Sequence, residues 1–170
     1  MSSSEVFHPL QALFNTDFLR KGLNIIGTLN PNMKTHVGSA DSWPIHLSQG
    51  ETAAMIFNTH YHNEPGEHWV GAFIDGPTRK CFIFDSMPLQ DYPAIILAKI
   101  SSICELIVND NKEGFVLQHP SFPLCGLYCL AFLERRTTHL PPLELNPLTR
   151  MENDVKVLDF MLPYIVLILR

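Results

Sequence analysis

The 170-residue sequence has few charged residues and no surplus of basic ones. Lysine and arginine number 12 against 17 aspartates and glutamates, which gives a formal net charge of −5. Because no positive field covers its surface, the chain is not expected to bind nucleic acid as its main task. Hydrophobic residues nevertheless make up 46% of the sequence. A chain of this size and composition is expected to fold as one domain over residues 1–170, around a real core.

The sequence also lacks a long apolar run. Its longest apolar segment, from Val157 to Leu169, is interrupted by Asp159 and Pro163. It falls short of the roughly 20 residues that span a membrane. The first 18 residues have neither the basic start nor the apolar run of a secretory signal. We therefore expect an intracellular protein without a membrane partner.

Cysteine is scarce, with four residues at positions 81, 104, 125 and 129 and no CxxC pair. This number and spacing argue against a disulfide framework and against structural zinc. His60, His62 and His68 alternate along the chain, but no carboxylate or thiol pair accompanies them, so no metal site is predicted. We therefore expect at least one cysteine to keep a free thiol that can take part in a reaction.

The hydrophobic pattern predicts a β-hairpin in the middle of the chain. His68–Ile74 and Lys80–Asp85 are rich in aromatic and β-branched residues, and residues 75–79 between them have the composition of a turn. A further short strand is predicted over Gly114–Gln118. The stretch from Gly27 to Gly50 carries prolines and glycines among polar residues and is expected to be a loop.

Apolar residues at helical spacing predict helices elsewhere. One is expected over Leu10–Leu23 with Gly22 as its stop signal, and a second from Ala94 through Leu106. The C-terminal apolar segment predicts a helix broken near Pro163. Together with the hairpin, these elements indicate an α+β fold.

The position of Cys125 predicts a reactive thiol. Residues 119–123 contain two prolines, whereas Leu124–Arg136 has a helical apolar pattern with basic residues in the last turn. Cys125 is therefore expected at a helix N-terminus, where unpaired N–H groups and the helix dipole favour a thiolate. Gly126, which has no Cβ, is expected to let a substrate approach the sulfur. A free cysteine is more often a small buried hydrophobic residue, so a nucleophilic role for Cys125 is one of two hypotheses.

Three other residues supply what a thiolate needs. An imidazole must hold and return the proton, and His68 opens the first hairpin strand while Asp85 ends the second. The two side chains are neighbours if both point to one face. Gln118 lies seven positions before Cys125 and offers a side-chain N–H to an oxyanion. Trp69, next to His68, is expected to form a wall of the active-site cleft. Taken singly, these residues also fit an edge histidine, a turn aspartate and a core tryptophan.

The order of His68, Asp85, Gln118 and Cys125 resembles a known family. It is similar to the adenain-type cysteine proteases, the maturation proteases of adenoviruses, virophages and Maverick/Polinton-type elements, which share a clan with the SUMO and NEDD8 deconjugating proteases. The resemblance implies a papain-like fold with a mixed, mostly antiparallel sheet and a central helix bearing the nucleophile. It also implies that Cys125 is the nucleophile, His68 the general base and acid, and Asp85 the imidazole orienter. Gln118 and the Cys125 amide would form the oxyanion hole.

The spacing within the motif favours the viral branch of this clan. Seven positions from Gln118 to Cys125 resemble adenain, whereas SUMO-type enzymes usually have a gap one residue shorter and an aspartate where this chain has Leu124. The resemblance implies viral capsid precursor proteins as substrates, cut in a cytoplasmic virus factory or nucleus by a protease packaged in the virion. One alternative is a deubiquitinase or a SUMO/NEDD8-like isopeptidase. Another is an inactive virion structural protein with a protease fold.

Adenain itself is activated by a capsid-derived peptide, joined through a disulfide, and by DNA. Cys104 is the positional counterpart of the cysteine that binds the peptide, but the apolar run from Ile100 to Val108 predicts a buried helix cysteine there. The acidic composition argues against activation by DNA. We therefore predict no cofactor and a monomeric enzyme.

Overall fold

The structure, a computed structural model, describes residues 14–39, 41–42, 46–48, 50–59, 68–88, 92, 94–111, 113–119 and 123–170. These residues form four helices and five strands. The helices are α1 (Thr16–Gly27), α2 (Ala94–Ile103), α3 (Cys125–Thr137) and α4 (Arg150–Ile168). The strands are β1 (Lys34–Ser39), β2 (Ala53–Asn58), β3 (Trp69–Asp75), β4 (Lys80–Phe84) and β5 (Leu106–Asn109). In the part of the chain that is described, no helix is both long and apolar enough to cross a membrane.

The five strands form one sheet in the order of the chain, β1-β2-β3-β4-β5. β3 is antiparallel to both of its neighbours, whereas β1 and β5 at the two edges run parallel to β2 and β4. The predicted α+β fold with a mixed sheet is confirmed. The sheet is not mostly antiparallel, because half of its strand pairings are parallel.

Helix α3 lies on the middle of the sheet. It packs against β3, α1 and α4, and every residue from Cys125 to Glu134 is buried. Its close approach depends on Gly71 of β3, where a Cβ would lie 3.1 Å from the ring of Phe132. The other face of the sheet buries a second core with α2, because successive strand residues point to opposite faces. The helix that carries Cys125 therefore belongs to the first core, and the sheet separates it from the second.

The predicted hairpin is confirmed as β3 and β4, joined by a turn at residues 76–79. A Cβ on Gly76 would lie 2.2 Å and 2.3 Å from the carbonyl oxygens of Glu51 and Gly50, so only glycine fits at this turn. The register places Gly71 opposite Phe84. This register decides which residues meet at the open end of the hairpin.

The prediction for the first helix was wrong about its end. α1 continues through Gly22 to Gly27, and a Cβ on Gly22 would lie 2.8 Å from the Leu130 side chain. The glycine therefore permits close packing of α1 on α3 and is not a stop signal. The side chain of Asn15 accepts a hydrogen bond from the Phe18 N–H and caps the helix start. The predicted beginning at Leu10 lies outside the described residues.

Two further helix predictions need correction. α2 ends at Ile103, and the apolar residues that follow form the edge strand β5 instead of more helix. α4 is continuous from Arg150 to Ile168, so the predicted break at Pro163 is absent. Proline removes one N–H from the helix ladder, but Met161 and Ile168 are buried in the core on either side of it. Packing therefore outweighs the lost hydrogen bond.

Two loop and strand predictions were also wrong. Residues 34–39, within the predicted loop, form β1, which pairs with β2 along its whole length. Residues 114–117, predicted as a strand, are irregular. Asn111 holds them instead, because its side chain accepts from the Phe115 N–H and donates to the Phe115 carbonyl. Residues 114–117 thus form no strand ladder: Phe115 bonds to the Asn111 side chain, and the Leu117 N–H bonds to the Ser86 carbonyl.

Candidate active site

Cys125 is the first residue of α3, as the sequence predicts. The first N–H groups of a helix have no partner within it, and the side chain of Leu124, at the N-cap, makes no hydrogen bond to them. Together with the helix dipole, these N–H groups favour negative charge at this point. The sulfur thus stands in a buried position that suits an anion.

His68 and Asp85 meet at the open end of the hairpin, with 2.5 Å between Nε2 and Oδ1. The side chain of His68 is 20% exposed and that of Asp85 only 2%. The carboxylate also accepts a hydrogen bond from the Met87 N–H at 2.9 Å. These contacts fix the carboxylate, and through it the imidazole ring.

The His68 ring also interacts with Cys125. Burial by itself would lower the pKa of His68, but hydrogen bonds to Asp85 and to the Cys125 sulfur, with the charges of those groups, raise it to about 10. Because Nε2 is bonded to Asp85, Nδ1 is the nitrogen left to face the sulfur. The structure therefore brings Cys125, His68 and Asp85 together, with the ring held as an imidazolium at neutral pH.

Gln118 is 2% exposed and is linked to this group through Ser86. Its Oε1 accepts a hydrogen bond from the Ser86 hydroxyl at 2.5 Å, so Nε2 is the donor end of the amide. The next residue toward the N-terminus, Leu117, donates its N–H to the Ser86 carbonyl at 2.8 Å. Gln118 is thus bound to the residue that directly follows Asp85.

Sequence reasoning missed two residues at this site. Ser86 binds Gln118, and Tyr92 forms a hydrogen bond with Asp85. Burial and the charge of Asp85 raise the pKa of Tyr92, so its hydroxyl remains a donor. One signal for Ser86 was available in the sequence, its position directly after Asp85. Its partner Gln118 lies 32 positions later, and only the fold brings the two together.

The other two predicted site residues have packing roles. Trp69 begins β3 beside His68 and packs half-buried against the core that contains α3. Gly126 is buried, and a Cβ there would lie 2.7 Å from the side chain of Leu19. A side chain at this position would collide with α1, so the structure explains this glycine by helix packing. Contact of either residue with a substrate stays a prediction.

The remaining cysteines belong to the core. Cys129 is buried one turn after Cys125, and burial raises its pKa well above the usual value. Cys104 is buried just beyond α2, where its hydrogen bond to Cys81, together with burial, raises the pKa of Cys81. In the described ranges, no three metal-ligating side chains form a group. His60 and His62 lie outside them.

Comparisons with known proteins agree with this fold. The model of the Ulp1 protease family, C-terminal catalytic domain, matches residues 47–161. The fold is similar to that of ChlaDub1 from Chlamydia trachomatis, at 15% identity and a TM-score of 0.58, over 89% of this chain and 92% of that one. It is also similar to the SUMO protease Ulp1 with its catalytic cysteine oxidised to a sulfinic acid, at 14% identity and a TM-score of 0.50, over 89% and 78%. No curated protein sequence gives a significant match.

The family match covers well over half of the chain and includes the positions of His68, Asp85, Gln118 and Cys125. The two solved structures share the fold over nearly the whole chain. The predicted clan of cysteine proteases and its papain-like α+β fold are thereby confirmed. This chain belongs to the Ulp1 protease family of cysteine proteases.

Proposed function

We propose that the chain hydrolyses peptide bonds with Cys125, His68 and Asp85 as its catalytic triad and Gln118 in its oxyanion hole. The supporting observation is the line of interactions from Asp85 through His68 to Cys125 at the N-terminus of a buried helix. It provides a nucleophile, a proton carrier and an orienting carboxylate, the three parts that covalent acyl transfer requires.

In the first step, the thiolate of Cys125 attacks the carbonyl carbon of the substrate and forms a carbon–sulfur bond. The carbonyl oxygen becomes an oxyanion, which the Cys125 backbone N–H and Nε2 of Gln118 stabilise. The carbon–nitrogen bond then breaks, and the leaving amine takes the proton of the His68 imidazolium. Asp85 keeps the ring oriented while its charge changes.

In the second step, water attacks the acyl-enzyme. His68, now neutral, accepts a proton from this water, and the carbon–sulfur bond breaks to release the acid product. The proton remains on the ring, which restores the imidazolium beside the Cys125 thiolate. The chain itself supplies every group in this cycle, so we propose that catalysis needs no metal, peptide or DNA.

As substrates we propose viral precursor proteins cut during virion maturation, inside an infected cell. The support is the spacing of seven positions from Gln118 to Cys125 and the presence of Leu124 before the nucleophile. Both features resemble the adenain type more than the SUMO type.

A second candidate is removal of ubiquitin-like proteins from their conjugates. The match to the Ulp1 family model favours it. A structural neighbour, Ulp1, is described as a SUMO protease and has been seen in complex with SMT3, the yeast ortholog of SUMO. The chemistry at Cys125 would be the same, so only the substrate distinguishes the two candidates.

Selective labelling of Cys125 tests the chemistry. The protein is incubated with iodoacetamide at neutral pH, and the adducts are mapped by mass spectrometry in the wild type, in His68→Ala and in His46→Ala, a control with an exposed ring. We expect Cys125 to react first, and His68→Ala alone to slow it. Equal labelling of Cys125 and the buried Cys81 would contradict the proposal.

Two substrates then separate the candidates. One is a ubiquitin-like protein fused through Gly-Gly to a reporter, and the other is a set of capsid precursor proteins. Cleavage of the fusion alone would favour deconjugation. Normal virus assembly with Cys125→Ala would indicate a protein that has kept the protease fold without its activity.

A further inference from the structure

The Ser86 hydroxyl and the Gln118 amide form a buried hydrogen bond that the catalytic cycle above does not use. Oγ of Ser86 donates to Oε1 of Gln118 at 2.5 Å. Ser86 is 1% exposed and Gln118 is 2% exposed, so water does not compete for the contact. Hydrogen bonds in such surroundings are costly to lose.

The contact selects one of two orientations of the amide. After a half-turn the NH₂ group would donate to Oγ of Ser86, and the hydroxyl proton, which now binds Oε1, would need another acceptor at a buried site. The observed orientation makes Nε2 the donor end. A rotated amide would instead present an oxygen to the oxyanion and repel it.

The backbone of Gln118 is held separately from its side chain. Asn153 of α4 donates to the Leu117 carbonyl at 2.9 Å, and the carboxylate of Asp154 accepts from the His119 N–H at 3.3 Å. The loop on either side of Gln118 is therefore anchored to α4. Removal of the Ser86 hydroxyl is expected to release the amide without moving the loop.

We propose that Ser86 is a positioning residue that fixes the Gln118 amide with its N–H groups toward the oxyanion. This inference rests on the proposed function of Gln118. Because Ser86 directly follows Asp85, two consecutive residues would hold the His68 imidazole and the Gln118 amide. The hydroxyl acts only through Gln118 and does not touch the substrate.

Two reagents distinguish this role from general damage to the site. A short peptide aldehyde ending in glycinal adds to the Cys125 sulfur, and its carbonyl oxygen becomes the hydroxyl or oxyanion of a tetrahedral adduct that needs the oxyanion hole. Iodoacetamide alkylates the same sulfur without forming an oxyanion. For Ser86→Ala we expect aldehyde affinity to fall about tenfold to a hundredfold. Alkylation of Cys125 should stay within about twofold of the wild type.

The same variants are tested for hydrolysis of a peptide ending in Gly-Gly-aminomethylcoumarin. We expect Ser86→Ala to lower kcat with little change in KM, Ser86→Thr to recover part of the loss, and Ser102→Ala, which changes an exposed serine of α2, to have no effect. With Gln118→Ala already present, Ser86→Ala should cost almost nothing more, because the two residues act as one unit.

Three results would overturn the role of Ser86. They are unchanged aldehyde affinity in Ser86→Ala, equal losses of alkylation and aldehyde affinity, and additive losses in the double variant. Failure of the proposed function looks different, since Cys125 of the wild type would then bind no aldehyde. That result would overturn both proposals.

Discussion

Nε2 of His68 lies 2.5 Å from Oδ1 of Asp85, although 17 positions separate the two residues. The pairing of β3 with β4 explains their meeting, because it places Gly71 opposite Phe84. His68 and Asp85 directly adjoin these strands, since β3 begins at Trp69 and β4 ends at Phe84. The strand pair therefore brings the two residues to the same end of the hairpin, and the hydrogen bond from the Met87 N–H holds the Asp85 carboxylate there.

Replacement of Asp85 by asparagine should lower kcat about a hundredfold to ten-thousandfold with little change in KM. The amide is nearly the same size, but it no longer neutralises the imidazolium form of His68. Initial rates on a coumarin peptide measure the effect. Asp75→Asn is the matched control, since Asp75 lies at the other end of the hairpin, bonded to Thr78. Equal rates in the two variants would argue against the triad.

Stability should depend on the ionisation of His68. Its pKa in the folded state, about 10, lies above the usual 6.5, so the charged ring stabilises the fold fully below pH 6.5. That contribution is lost as the pH rises through about 10. Urea unfolding of wild type and His68→Ala should show a difference in free energy at pH 7 that shrinks by pH 10.5. A difference that does not change with pH would show that the ring is not held as an imidazolium.

Gly126→Ala should destabilise the fold by about 1–3 kcal/mol, because the new methyl group would lie 2.7 Å from Leu19. Gly27→Ala, at the end of α1, is the control, since its Cβ would meet Thr35 at an ordinary 3.4 Å. In a Leu19→Ala background, Gly126→Ala should cost little or nothing. Chemical denaturation of the wild type and the four variants measures these costs, and a full cost of Gly126→Ala in the Leu19→Ala background would refute the packing explanation.

Arg136→Lys should cost about 1–2 kcal/mol of stability without slowing alkylation of Cys125. Arg136 donates from Nε and Nη2 to both oxygens of Asp110 and stacks 3.7 Å from the centre of the Phe82 ring. Lysine keeps the charge but loses the planar fork. Arg20→Lys, in an exposed ion pair, should be neutral. If the two variants have the same free energy of unfolding, the planar contact of Arg136 with Asp110 and Phe82 adds nothing to stability.

The parts of the fold that depend on local sequence were predictable. The hairpin and the helix after Leu124 have clear periodicity and clear ends, and both are confirmed. β1 was missed because its residues are only half-buried and it gains its order from pairing with β2. The predicted helix runs on into β5, because a strand of four residues directly after a helix is too short to show an alternating hydrophobic pattern.

The same distinction applies to the candidate site. His68 and Asp85 were predictable from the hairpin, and Cys125 was predictable from the two prolines that precede its helix. The contact of Ser86 with Gln118 was not predictable, because it depends on how an irregular segment returns to the end of β4. The packing role of Gly126 was not predictable, because its neighbour in space, Leu19, is more than one hundred positions away in the sequence.

Asp85 and Ser86 directly follow β4 as consecutive residues, one bonded to His68 and the other to Gln118. A shift of one residue in a strand exchanges the directions in which all its side chains point. A single insertion in β4 would therefore displace the carboxylate from the imidazole and the serine from the Gln118 amide together. One change in the length of this strand would thus disturb the orientation of His68 and that of Gln118 at once, although separate hydrogen bonds hold the two side chains.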